Sequence, residues 1–243
     1  MRDIEMKPLG IKSYGSIPHL PGSRRGPGDH GLSDRQASIL TEKVRDKKDC
    51  IIVTEKLDGS CVAVTRKEGN LLALGRAGYL AQSSKYEQHQ LFAAWVRWNE
   101  GLFDWLDEGM RVCGEWMIQA HGTKYIINQP FFVFDVFSAE NQRLSQYEWL
   151  IKHNPTIPLP FVPLIYCGSA AFPIERAMSN LGEYGALNAD KAEGCVWRVE
   201  RDGKYDFMGK YVRPDKKDGI YLECETKGEP IWNIDPRSLR LSA

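Results

Sequence analysis

The chain has 243 residues, is 42% hydrophobic, and carries 32 basic and 32 acidic side chains, for a formal net charge of zero. That length fits one large domain, or one domain with a small appendage. The charge balance argues against a non-specific polyanion coat, although a local basic groove depends on clustering rather than on the total.

Residues 1–35 read as loop, punctuated by Pro18, Pro21, Gly22, Gly26, Pro27, Gly28 and Gly31. Within them, residues 13–20 have the character of a segment that packs on something, and Arg24 and Arg25 form a first basic cluster. Residues 36–48 predict a short polar helix. Three β-like runs follow, over 50–56, 60–66 and 71–76. Asp58-Gly59 joins the first pair and Lys67-Glu68-Gly69-Asn70 the second, which predicts an antiparallel meander with Lys56 at one end. A helix is expected over 84–100, with Leu91, Ala94, Trp95 and Trp98 on its apolar face and Ser83 or Ser84 as its cap. Strands over 110–118 and 131–137 come next. Helices near 145–153 and 173–181 flank a strand at 161–167, and strands over 194–200 and 206–212 close the series. Strands dominate and helices fall between them, so the fold class is α+β with largely antiparallel sheets.

No apolar run approaches the ~18 residues of a membrane span, and no charged-then-apolar leader opens the chain, so the expectation is a soluble, cytoplasmic protein. The six cysteines are scattered without a Cys-x-x-Cys pair and read as reduced core thiols.

The chemistry gathers around Lys56. It follows the apolar run Ile51-Ile52-Val53-Thr54 and precedes an Asp-Gly turn, so a strand presents a lysine at its mouth. Such an amine acts as a nucleophile only after losing its proton, and burial or nearby positive charge favours that loss. Arg76 ends the third strand beside glycines, where an arginine can approach a phosphate closely. Glu115 stands among apolar residues, a costly place for a carboxylate without a cation, metal or hydroxyl partner. In the run 131–137, simple alternation puts Phe132, Phe134 and Val136 on one face, and a phenylalanine on the pocket side can stack on a purine. Glu193 opens the next-to-last strand, while Lys210 and Arg213 sit on the last, inside a second basic cluster that runs from Arg198 to Lys216 and Lys217. Together these parts suit nucleotidyl transfer: a lysine attacks the α-phosphorus of a nucleoside triphosphate, cations steady the phosphates, carboxylates hold metal and ribose, and an aromatic face clamps the base.

In this order the segments resemble the motifs of the covalent nucleotidyltransferase superfamily of polynucleotide ligases and mRNA capping enzymes, most of all the phage RNA ligase 2 type. Lys56-Leu57-Asp58-Gly59 is similar to motif I, which implies that Lys56 accepts AMP. Arg76 is similar to the motif Ia arginine that contacts the nucleotide and the RNA end. Glu115 in Gly114-Glu115-Trp116 is similar to the ribose-binding glutamate of motif III. Phe134 in Phe134-Asp135 is similar to the adenine-stacking phenylalanine of motif IIIa, and Glu55 would face the adenine amino group. Glu193 is similar to the motif IV glutamate that supports metal binding, and Lys210 to a motif V lysine at the α-phosphate. Motif V usually carries lysines two apart, whereas here Arg213 follows Lys210 by three.

The resemblance covers about residues 10–213. It implies a nucleotidyltransferase (ATP-grasp-like ligase) domain of largely antiparallel sheets with flanking helices and a nucleotide pocket between the sheets. It implies an ATP-dependent RNA ligase joining 3′-hydroxyl and 5′-phosphate RNA ends through a lysyl-AMP intermediate. The alternatives are a DNA ligase, a GTP-dependent capping guanylyltransferase, and a non-catalytic RNA-end-binding module. The site then comprises Lys56 as nucleophile; Glu55, Asp58, Arg76, Glu115, Phe134, Glu193, Lys210 and Arg213 around ATP or AMP; Arg24, Arg25 and Arg76 on RNA; and Glu193 and Glu115 toward Mg²⁺ or Mn²⁺. The expected division is a Gly/Pro/Arg-rich segment over 1–35 packed on the core, the nucleotidyltransferase domain over 36–214, and a short extension over 215–243 that is not an OB-fold. A monomer is expected, with room for a separate end-healing or RNA-binding partner.

Overall fold

The computed structural model describes residues 7–147, 157–187, 189–222, 224–226 and 228–240. Among them the chain forms two antiparallel four-stranded sheets and three α-helices. The first helix, α1 (Asp34–Thr41), starts at a capping box in which Ser33 and Gln36 satisfy each other's backbone N–H groups. It ends well before residue 48, so the polar helix is shorter than its sequence suggests. Then come β1 (Asp49–Lys56), β2 (Ser60–Lys67), β3 (Asn70–Gly75), α2 (Glu87–Trp98), β4 (Arg111–Trp116), β5 (Phe131–Phe137), β6 (Leu164–Gly168), α3 (Ile174–Leu181), β7 (Gly194–Arg201) and β8 (Lys204–Val212). The helix expected near 145–153 falls largely outside the described residues.

The first sheet runs in the order β6-β1-β7-β8 and the second in the order β3-β2-β4-β5. The expected meander is therefore corrected at its first turn: β2 and β3 pair, but β1 and β2 do not. Asp58-Gly59 is a crossover from one sheet to the other. Leu57 is buried there, and a Cβ on Gly59 would lie 2.6 Å from the Trp116 carbonyl oxygen. Glycine is required by this close approach rather than by a hairpin. The crossover leaves Lys56, the last residue of β1, at the gap between the sheets.

Each sheet has its own core. Phe92, Ala93, Trp95 and Val96 of α2 pack on Val62, Val64, Val112, Phe131, Val133 and Val136 of the second sheet. The helix starts later than expected, without a side-chain cap, and Leu91 and Trp98 lie at the margin of its buried face rather than on it. Ile51, Val53, Cys195, Trp197 and Val199 of the first sheet pack with Leu40 of α1 and Ala177 and Leu181 of α3.

A bulge shapes β5. Cys113 pairs with Asp135 and Gly114 with Val133, so Phe134 is an extra residue in the ladder. The simple alternation fails there: Val136 joins Phe131 and Val133 in the core, while Phe134 and Asp135 both turn toward the gap.

The chain segments outside the strands also bind the sheets. The Ser13 and Tyr14 N–H groups donate to the Arg76 carbonyl at the end of β3, and residues 18–20 pair with Lys210 on β8. Residues 14–17 thereby run from one sheet to the other along the rim of the gap. Past β8, Ile231 and Asn233 hydrogen-bond the segment 117–125 after β4. No helix among the described residues is long and apolar enough to cross a membrane.

Candidate active site

A cavity of about 270 Å³ lies between the two sheets. Thr54, Glu55 and Lys56 of β1, Val196 and Arg198 of β7, and Met208 and Lys210 of β8 line one side. Cys61, Arg76, Glu115, Phe134 and Asp135 line the other, and Tyr14, Gly15 and Ile17 close the rim. Six of the residues singled out from the sequence thus meet in one space: Glu55, Lys56, Arg76, Glu115, Phe134 and Lys210. They reach it from β1, β4, β5, β8 and the end of β3, which the fold brings together although they span much of the chain.

Lys56 is part-buried, and its Nζ donates to Glu193 Oε2 at 2.7 Å. Glu193 belongs to the residue pair that opens β7, directly across from Lys56, since Gly194 is the register partner of Lys56. That glycine is required by packing, because a Cβ there would meet the Tyr211 carbonyl oxygen at 1.9 Å. Burial alone would push the Lys56 amine down, but Glu193, Glu115 and Asp58 more than reverse this and hold it above its ordinary value. Burial thus favours loss of the proton as expected, and the three carboxylates outweigh it.

Those carboxylates differ among themselves. Burial raises Glu115 to about 7, although Gly59 N–H donates to its Oε1 at 3.1 Å. Burial also raises Glu193. For Asp58 burial works against the charge, yet Lys216 and Lys56 outweigh it and hold the carboxyl below the usual range. Lys210, half-buried, is lowered by burial and by the charge of Lys56. The site therefore has two carboxyls raised by burial and a weakened cation close together.

Glu55 is buried, with Ala186 N–H donating to Oε2 at 2.9 Å, while Oε1 has no hydrogen-bond partner. Glu55 as a residue lines the cavity, and its buried oxygen without a partner is an acceptor in need of a donor. Phe134 meets Tyr14 edge-on, with centroids 4.8 Å apart, which orients its ring within the cavity. Arg76 is exposed and donates to the Gly15 carbonyl at 3.1 Å.

Other residues expected at the site lie elsewhere. Arg213 does not line the cavity; its guanidinium donates to the Ala192 carbonyl at 2.8 Å and pairs with Asp215 at 2.9 Å. Asp58 sits behind the crossover, where Lys216 Nζ pairs with it at 2.6 Å and Gly122 N–H donates to the same oxygen. Arg24 pairs with Asp218 at 2.5 Å, and Arg25 lies against Gly31; neither lines the cavity.

Sequence reasoning missed a buried polar wall. Arg198 donates to Asp135 at 2.5 Å, to Glu200 at 2.7 Å and to the Leu144 carbonyl at 2.6 Å. Tyr14 donates to the other Asp135 oxygen at 2.5 Å, and Gln146 N–H to Glu200. Arg198 was visible only as one member of a basic cluster, and nothing in its spacing names Asp135 as its partner.

Among the described residues no group of three His, Cys, Asp or Glu side chains is arranged to hold a metal ion. Glu115 and Glu193 supply the hard oxygen donors that Mg²⁺ or Mn²⁺ prefers, and such ions commonly complete their shell with waters and substrate phosphates. The residues fit a metal that arrives with a phosphate ligand, not one held by the protein alone.

Two antiparallel sheets thus enclose one cavity lined by a lysine, carboxylates and an aromatic ring. The RNA ligase family model matches residues 49–212, and the chain belongs to the RNA ligase family. Among solved structures it is similar to a Naegleria gruberi RNA ligase with ATP and Mn, at 19% identity and a TM-score of 0.50, covering 80% of this chain and 59% of that one. The same Naegleria ligase with PPi aligns at 20% identity and 0.50, covering 86% and 61%. An archaeal ATP-dependent RNA ligase aligns at 20% identity and 0.49, covering 82% of this chain and 48% of that one. The chain thus spans less than two-thirds of the length of these structures, and the likeness to the Naegleria ligase is one of fold. A search of curated proteins finds no match.

Proposed function

We propose that the chain is an ATP-dependent RNA ligase that joins a 3′-hydroxyl to a 5′-phosphate through AMP carried on Lys56. The observation that carries this reading is that Lys56, paired with Glu193, lines the inter-sheet cavity together with Glu115, Phe134, Lys210 and Arg76. It is supported by membership of the RNA ligase family and by relatives of the same fold solved with ATP and Mn.

In this reading the base enters against Phe134, with its exocyclic amine donating to the unpaired Glu55 oxygen. Glu115 takes the ribose hydroxyls, and Lys210 and Arg76 face the phosphates. When bound, Mg²⁺ or Mn²⁺ at Glu115 and Glu193 supplies charge neutralisation of the triphosphate. The proton on Lys56 Nζ must leave before attack, and Glu193 Oε2 at 2.7 Å is the acceptor placed to take it. The amine then bonds to the α-phosphorus as the bond to pyrophosphate breaks. Next the RNA 5′-phosphate attacks that phosphorus and the P–N bond breaks, leaving AMP on the RNA end. Finally the 3′-hydroxyl attacks the activated 5′-phosphate and AMP departs. Arg24 and Arg25 take the RNA backbone outside the cavity. The transferase domain of this reading spans 36–214 in a monomer, and described residues on either side, among them Tyr14 and Lys216, pack on it.

The test is covalent labelling. Incubation with α-labelled ATP and Mg²⁺ should attach label to the wild-type chain and not to Lys56→Ala. A folded wild type that stays unlabelled ends this reading. Parallel incubations with GTP, and with nicked or single-stranded RNA against nicked DNA, define the nucleotide and the ends.

A further inference from the structure

The crossover that carries Lys56 out of β1 is held from behind by chain that follows β8. Lys216 is the central contact: its side chain has no exposed surface, its ammonium pairs with Asp58 Oδ2 at 2.6 Å, and it also donates to Thr123 Oγ1. Gly122 N–H donates to the same Asp58 oxygen at 2.9 Å, and the Asp58 N–H donates to Tyr125 Oη at 3.0 Å. The segment bearing Gly122, Thr123 and Tyr125 is itself anchored, since Ala120 N–H donates to the Ile231 carbonyl and Tyr125 N–H to Asn233 Oδ1. Two residues from Lys56, then, a carboxylate is fixed by two groups and the backbone N–H of the same residue by a third, on a backing that the C-terminal part of the chain completes.

A fully buried lysine is expensive to desolvate, and its pairing with a carboxylate returns that cost only when the geometry is good. Here the return is positional. After Lys216, Lys56 is the cation that acts most strongly on Asp58, ahead of His121. With Lys216 gone, Asp58 would turn to the Lys56 ammonium and compete with the phosphate for the nucleophile. Displacement of a reacting group by about 1 Å can cost roughly 10²-fold in rate. Arg213, the cation that sequence spacing offers as the partner of Lys210, faces away toward Asp215 and the Ala192 carbonyl.

We infer that Lys216 is a positioning residue for the lysine nucleophile: it clamps Asp58, and so keeps the crossover behind Lys56 in place and Asp58 away from the attacking amine. This rests on the ligase reading above. The experiment is single-turnover self-adenylylation with α-labelled ATP and Mg²⁺ on the full chain, for wild type, Lys216→Met, Asp58→Asn and the double variant, with circular dichroism to establish folding. Lys216→Met should slow label transfer 10- to 100-fold while the half-saturating ATP concentration stays within threefold. The double variant should be no more than threefold slower than Asp58→Asn, because the lysine acts through that carboxylate. A Lys216→Met rate equal to wild type overturns the inference, as does a change confined to half-saturation or a double variant carrying both penalties in full. If Lys216→Met does not fold, the double variant, which leaves no buried charge unpaired, is compared with Asp58→Asn alone. If that pair also separates by loss of folding, Lys216 is merely structural and the inference falls. A wild-type chain that takes no label overturns the ligase reading first and this inference with it, before any variant is compared.

Discussion

At the scale of single residues, the cavity stores two kinds of unmet demand. One is protonic. Glu115 is raised by burial from 4.5 to about 7, so the folded chain keeps a proton there that the unfolded chain releases. The sign follows: this contribution to stability is fully present below about pH 4.5 and is lost as pH rises through about 7. Urea unfolding of the metal-free protein at pH 5 and pH 7.5 should therefore show a loss on the order of 2 kcal/mol from this group, and Glu115→Gln should flatten it. An unchanged slope in the variant would place the titration elsewhere. The other demand is for a donor. Glu55 Oε1 is buried without a partner, and leaving such a group unsatisfied costs about 1–3 kcal/mol. Glu55→Gln should leave the ligand-free protein as stable as wild type or more so, yet weaken ATP binding about 5- to 50-fold. Calorimetric titration of each variant separates the two effects.

At the scale of elements, the decisive piece is the 57–59 crossover. Asp-Gly between two β-like runs is a strong local hairpin signal, and the chain overrides it. β1 and β2 each find better partners, β1 between β6 and β7 and β2 between β3 and β4. The strands themselves were legible, since β-branched and apolar runs mark all eight in order. The residues that would meet were partly legible too, because Lys56, Glu115, Phe134 and Lys210 stand at strand positions facing a gap. What sequence could not supply was pairing across sheets. The bulge that turns both Phe134 and Asp135 into the cavity breaks the two-residue period only through its partner strand, and Lys216 has no local pattern that points to Asp58. The crossover yields its own prediction. A Cβ at Gly59 would press on the backbone oxygen of Trp116 and on Met117, and backbone cannot yield as a side-chain tip can. Gly59→Ala should destabilise by about 1–3 kcal/mol, as overpacking does, and slow self-adenylylation at least tenfold. A folded, fully active variant would mean that the two sheets can part without moving Lys56.

At the scale of the molecule, the question is what fixes the width of the gap, since each sheet packs on its own helices and its own core. The buried network between β5 and β7 answers it. Asp135 of the second sheet and Arg198 of the first pair at 2.5 Å, with side chains 2% and 3% exposed. Arg143 pairs with Asp135 at 3.2 Å, and Glu200 takes the other side of Arg198, so two cations and two anions close on themselves. Tyr14 ties the rim segment into the same carboxylate. A buried network of this kind is weak evidence for added stability, but removing one member strands the others. Arg198→Met leaves Glu200 without that partner and Asp135 with Arg143 and Tyr14 only, so it should destabilise by about 3–5 kcal/mol, or roughly 6–20 °C in Tm. Because the pairs are out of reach of mobile ions, the difference from wild type should be the same in 0.05 M and 0.5 M salt, unlike that of an exposed pair such as Lys48–Asp202. A penalty that shrinks with salt would show that water enters between the sheets, and that these charges do not set the distance across the cavity.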